Sequence, residues 1–169
     1  MTTSATGITE AQRVMGGSDI RVDPYGEWIK RQELPIYTGH FVADLNSIEL
    51  APWGVTGGRG AIIDLIGSER STGAYVGEIP PGGQLKPQRH LFEETLSILS
   101  GRGATTIWSA DSPRRSFEWQ AGSLFSVPLN ASYQLHNGSG ATSASSSRET
   151  PSARTCRISR RARDRKSVV

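Results

Sequence analysis

The sequence predicts an all-β domain, a sandwich or small barrel of short antiparallel strands. Three observations carry this. After Gly60, short runs rich in apolar and β-branched residues recur at intervals of about 8–14 residues. Gly, Pro, Asn, Asp or Ser punctuates the gaps between them. No helical periodicity of useful length interrupts the series.

The strands are expected at 61–66, 73–79, 91–100, 104–109, 115–119, 123–128 and 132–137. The first two flank a polar turn over 67–72. The third and fourth are separated only by Gly101-Arg102-Gly103, a hairpin signal. Asp111-Ser112-Pro113 introduces the fifth, which sets Phe117 and Trp119 on one face.

Four regions follow from composition. Residues 1–22 are small and polar and read as a flexible arm. Residues 23–57 read as a helix and an extended segment packed on the β domain. The helix is placed at about 26–33, after Asp23-Pro24 and before Leu34-Pro35, with Asp23 as its cap and Tyr25, Trp28 and Ile29 as its apolar side. Phe41, Val42, Leu45, Ile48 and Leu50 read as buried, Trp53 as a plug at one end of the core, and His40 as a partly exposed structural histidine. Residues 58–140 form the β domain. Residues 141–169 carry seven Ser and seven Arg, with Ile158, Val168 and Val169 as the large apolar residues, and read as a disordered tail. The abrupt change after residue 140 favours a frame-shifted or truncated continuation over a genuine arginine-serine arm.

The net charge of +3 comes from that tail. Its seven Arg and one Lys face only Glu149 and Asp164, so the other 140 residues, with 11 basic and 14 acidic side chains, are net negative. Nucleic-acid binding by the folded body is not expected. No apolar run approaches the roughly 20 residues of a membrane span, and the N-terminus lacks the apolar stretch of a secretory signal. A cytoplasmic protein is the expectation. Cys156 is the single cysteine, so no intramolecular disulfide can form.

The most informative stretch is 80–103. Two prolines and two glycines open it and a Gly-Arg-Gly turn closes it. Read with period two, Gln88, His90, Phe92, Glu94, Leu96 and Ile98 share a face. A core-facing Gln, His and Glu need partners, because an unpaired buried polar group costs about 2–7 kcal/mol. A metal ion, a bound ligand or other side chains can supply them. In the last case Tyr133 donates to Glu94 within a hydrogen-bonded polar plug.

The spacing of Gly82, Gln88, His90, Glu94 and Gly101 resembles the first motif of the cupin superfamily, with Gln88 standing where that motif has its first histidine. Gly122, Pro128, Asn130, Tyr133 and Asn137 resemble the second, with Asn130 in place of a glycine and Tyr133 in place of a histidine. Asn130 tolerates a left-handed backbone, so the turn can form without glycine. The resemblance implies a cupin-type, jelly-roll-like antiparallel β-barrel over 58–140, the first barrel of a C-terminally truncated two-barrel cupin. It is expected to be incomplete, because family members add strands after the second motif. It implies Gln88, His90, Glu94 and Tyr133 as ligands of a divalent transition metal (Fe, Mn, Zn or Ni). It also implies a small-molecule ligand in the barrel and homodimers through barrel edge strands. The activities it brings are those of a metal-dependent oxygenase- or isomerase-like enzyme, a non-catalytic ligand-binding cupin, or a truncated product with no activity of its own. His136 lies three residues from Tyr133 and faces the other way on a regular strand.

Overall fold

The computed structural model describes residues 24–67, 72–110, 112–138 and 152–160. The arm 1–22, the Asp23 cap, and the tail outside 152–160 fall outside the described residues. Among the described residues one helix, α1 (Pro24–Arg31), precedes eleven strands. These are β1 (Ile36–Gly39), β2 (Ala51–Trp53), β3 (Gly58–Leu65), β4 (Thr72–Ile79), β5 (Gln88–Arg89), β6 (Glu94–Ser100), β7 (Arg102–Ser109), β8 (Ser112–Gln120), β9 (Leu124–Val127), β10 (Ser132–Asn137) and β11 (Ala153–Arg160).

Two sheets stack on each other. The larger runs β1-β3-β4-β11-β6-β9, with β2 also paired to β3; the smaller runs β5-β10-β7-β8. All pairings are antiparallel except β1 with β3. The sheets do not close on one another, as expected of an incomplete barrel. Between them lies the main core of Ile79, Leu85, Leu96, Ile98, Trp119, Val127, Ala131, Tyr133, Leu135 and Ala153. Two further clusters cover the large sheet with the N-terminal segment: Ile48 and Leu50 meet Ala61, Ile63 and Val76, while Leu34 and Trp53 meet Ile62. Burial on both faces explains why β3 reads as an unbroken apolar run and not an alternating one.

Four expectations are corrected. The first is the tail. Residues 153–160, read as disordered, form β11, which lies between β4 and β6 and pairs with both. Its inward residues Ala153, Thr155 and Arg157 are fully buried. They are small or polar, so no apolar period marks the strand. The second is the strand expected over 91–100. It begins only at Glu94, because the chain leaves β5 in one sheet and crosses to β6 in the other. The third is Phe41, read as buried, which is 77% exposed. The fourth is the strand count, which rises through β1, β2, β5 and β11.

The turns behave as the motif spacing requires. Asn130 holds φ at 63°, the left-handed conformation expected where a glycine is replaced. Gly101 has φ 84°, and a Cβ there would stand 2.8 Å from the Ala153 Cα, so the β6–β7 turn admits β11 only as glycine. The Asn137 amide donates to the Ile79 and Pro80 carbonyls at 3.1 and 3.2 Å, tying the end of the second motif to the start of the first.

Candidate functional site

Pleating places one polar group from each of several strands at one end of the space between the sheets. In the large sheet, Arg157 of β11 pairs across to Tyr75 of β4 and Leu96 of β6, so all three share the inner face. Glu94, two residues from Leu96, lies on that face as well. From the small sheet, Tyr133 points inward with Gln88 directly opposite it in register. Glu94, Tyr133 and Arg157 are 2% exposed or less.

These groups close a ring of hydrogen bonds. The Tyr75 hydroxyl donates to Glu94 Oε1 and the Tyr133 hydroxyl to Glu94 Oε2. Arg157 Nη1 donates to both hydroxyls, at 3.2 Å to Tyr75 and 2.9 Å to Tyr133. Each phenol therefore both accepts and donates, and Nη1 uses both its hydrogens. Arg157 Cζ also lies 5.3 and 5.6 Å from the centroids of the two tyrosine rings, within cation–π range. His90 stands at the side of the ring, its Nε2 3.9 Å from Glu94 Oε2 and its imidazole stacked on Phe92 at 4.6 Å. The Gln88 amide is turned to the backbone, donating to the carbonyls of Lys86 and Val55 at 3.3 and 3.4 Å.

The electrostatics follow from burial. Both phenols are held above the usual tyrosine value, first by burial; Arg157 opposes this and Glu94 reinforces it. Burial opposes charge on Arg157, but Tyr75, Tyr133 and Glu94 together outweigh it and keep the guanidinium charged. His90 is pushed below its usual value by burial, against the attraction of Glu94 and with the repulsion of Arg157. The centre is thus one buried cation and two phenols held neutral, gathered around the carboxyl group of Glu94.

No protein-family profile matches the sequence, and no curated protein matches it. Solved structures do match its fold. The oxalate decarboxylase of Lactobacillus farciminis, in a formate complex, aligns with TM-score 0.52 and 20% identity over 69% of this chain. The cupin domain of Cnp3 from Schizosaccharomyces pombe aligns with TM-score 0.51 and 19% identity, covering 69% of this chain and 71% of that one. Tomato vicilin aligns with TM-score 0.52 and 15% identity over 62% of this chain. The chain has the cupin fold. It spans 32% of the length of the Lactobacillus decarboxylase. A decarboxylase, a domain of Cnp3 and a vicilin share the fold, so the fold alone assigns no reaction.

Against the cupin motifs, the structure gathers His90, Glu94 and Tyr133, and sets Gln88 beside Tyr133 with its amide bonded elsewhere. His136, half-buried, is on the opposite face of β10, where it lines a groove of about 660 Å³ with Glu118 and Arg102. Sequence reasoning missed Tyr75 and Arg157. Tyr75 sat in an expected strand with nothing to mark its inward face as polar. Arg157 sat in a segment read as disordered.

The donor set is a poor match to a divalent cation. Both Glu94 oxygens already accept a phenol proton, and Tyr133 is engaged by Arg157 as well. A divalent ion there meets a fixed guanidinium charge at close range. Among the described residues, no three His, Cys, Asp or Glu side chains come together. The residues fit a hydrogen-bonded centre built on an internal cation.

Proposed function

We infer that this cupin binds a small molecule between its sheets, at a polar centre organised by Arg157, and that it acts by binding and not by catalysis. The closed ring of Glu94, Tyr75, Tyr133 and Arg157 carries this reading. It supplies fixed donors and a charge for recognition. Its phenols are held neutral, so neither is poised to give up a proton near pH 7. A panel of small organic metabolites tests it by thermal shift. Some member is expected to raise the Tm of the native protein and to lose that effect in His90→Ala. A panel with no shift overturns it.

The competing proposal is a metal-dependent enzyme with Gln88, His90, Glu94 and Tyr133 as ligands. One observation favours it: the buried His90 Nε2 has no hydrogen-bond partner among the described residues. Elemental analysis of untagged protein, before and after incubation with Mn, Fe, Zn or Ni, separates the two. Less than stoichiometric metal under both conditions favours the binding reading; one bound ion per chain, lost in His90→Ala, favours the metal. The open edge strand β8 is the surface at which copies of the chain would pair.

A further inference from the structure

The chain's own hydrogen bonds satisfy one nitrogen of Arg157. Nη1 reaches Tyr75 and Tyr133, while Nε and Nη2 have no acceptor among the described residues, although the side chain is fully buried. These two nitrogens belong together. In a planar guanidinium, Nε–H and the neighbouring Nη2–H point the same way, forming a fork that matches the two oxygens of a carboxylate. The fork lies across Cζ from Nη1 and so faces away from the two phenols. Leaving buried donors unpaired costs about 1–3 kcal/mol each, and more on a charged group. An acceptor supplied at that edge would relieve that cost.

We propose that the Nε–Nη2 edge of Arg157 is the receptor for one carboxylate of a small organic acid. This names the ligand class of the site and rests on the binding reading above. Three features select that class. Two parallel donors on a cation favour a planar anion over a single carbonyl. Glu94 already balances the guanidinium, so a ligand with one negative charge is preferred to one with two. Arg157 stands between Tyr75 and Leu96 in the sheet, so a ring and an aliphatic chain flank its side chain, surroundings that suit an organic acid over an inorganic anion. His90 borders this centre, half-buried in the strand-free segment between β5 and β6.

The test uses the full chain labelled with ¹⁵N. The Arg157 Nε–H resonance is followed by NMR during titration with sodium acetate and sodium propionate, with acetamide and inorganic phosphate as controls. A saturable shift with both acids is expected, none with acetamide, and a weaker response with phosphate. Arg157→Lys keeps the charge and loses the fork, so acetate binding there should weaken at least about tenfold. If that variant does not fold, the native titration alone decides. An unmoved resonance, a response to acetamide equal to that of acetate, or unweakened binding in a folded Arg157→Lys overturns the assignment. If the acids fail while neutral metabolites still stabilise the native protein but not His90→Ala, the ligand class is wrong and the binding site stands. If neither binds, both readings fall.

Discussion

The guanidinium of Arg157 lies against Tyr133, with Nη1 2.9 Å from the hydroxyl and Cζ 5.6 Å from the ring centroid. Through that hydroxyl the charge reaches Glu94, which belongs to a neighbouring strand. The pair links the two sheets by one donor and one acceptor, both out of water. Removing one member of such a buried set leaves the other uncompensated, which costs about 3–5 kcal/mol. Arg157→Met is expected to lose stability on that scale in urea denaturation followed by tryptophan fluorescence. Adding Glu94→Gln should recover part of the loss, because the stranded charge is then gone. An Arg157→Met protein as stable as the parent would show that the ring is not holding the sheets.

The phenols give a second, independent signal. Tyr75 and Tyr133 are held above the ordinary tyrosine value of 10.0 by burial. A group whose folded value is raised stabilises the fold below its unfolded value, and that stability is lost as pH climbs above it. Stability should therefore fall from about pH 10 upward. The 295 nm absorbance of these two tyrosines should appear together with the loss of far-UV structure, not before it. Tyr133→Phe should shrink that coincident step. Smooth ionisation of all four tyrosines in a still-folded protein would exclude the buried ring.

Much of the fold was legible because its signals are local. Gly101 and Gly103 announced the β6–β7 connection, and the three-residue spacing from Tyr133 set His136 on the opposite face of β10, as found. The two motifs also carried His90, Glu94 and Tyr133 into one place. What escaped is non-local. β11 has Ala153, Thr155 and Arg157 on its buried face, so hydrophobic patterning sees nothing there. Arg157 is tolerated inside only because Glu94, Tyr75 and Tyr133 await it from other strands. A carboxylate on an inward face was a sign that a cation was needed. The sequence offered no indication that the cation was an arginine more than 60 residues away in a Ser/Arg-rich stretch.

His90 opens an acidic window. Its folded value lies below the ordinary 6.5, chiefly through burial. The unfolded chain then binds the proton more readily, so stability rises with pH across the window and is lost as pH falls below about 6.5. It levels off once the folded histidine is protonated too. Comparing denaturation midpoints from pH 7 down to pH 4.5 checks this. His90→Asn should remove the histidine contribution to the slope. An unchanged profile in that variant would place the acid sensitivity elsewhere.

Cys156 turns the docking of β11 into a rate. It is the single cysteine, 7% exposed, and burial pushes its thiol above the ordinary value. Alkylation needs an exposed thiolate, so in the native protein it must wait for β11 to open. An opening that costs about 3 kcal/mol slows the reaction roughly a hundredfold relative to the unfolded chain. Iodoacetamide labelling followed by mass spectrometry measures the ratio. Gly101→Ala supplies the specific control. Its added methyl would strike Ala153 at 2.8 Å and strain a residue held at φ 84°, at a cost of about 1–3 kcal/mol. The clash lies at one end of β11, so the variant should label faster while the hairpin of β7 and β8 keeps its amide protection. Equal labelling of native and unfolded protein would mean that residues 153–160 do not lie between β4 and β6 in solution, and the buried Arg157 centre would fall with them.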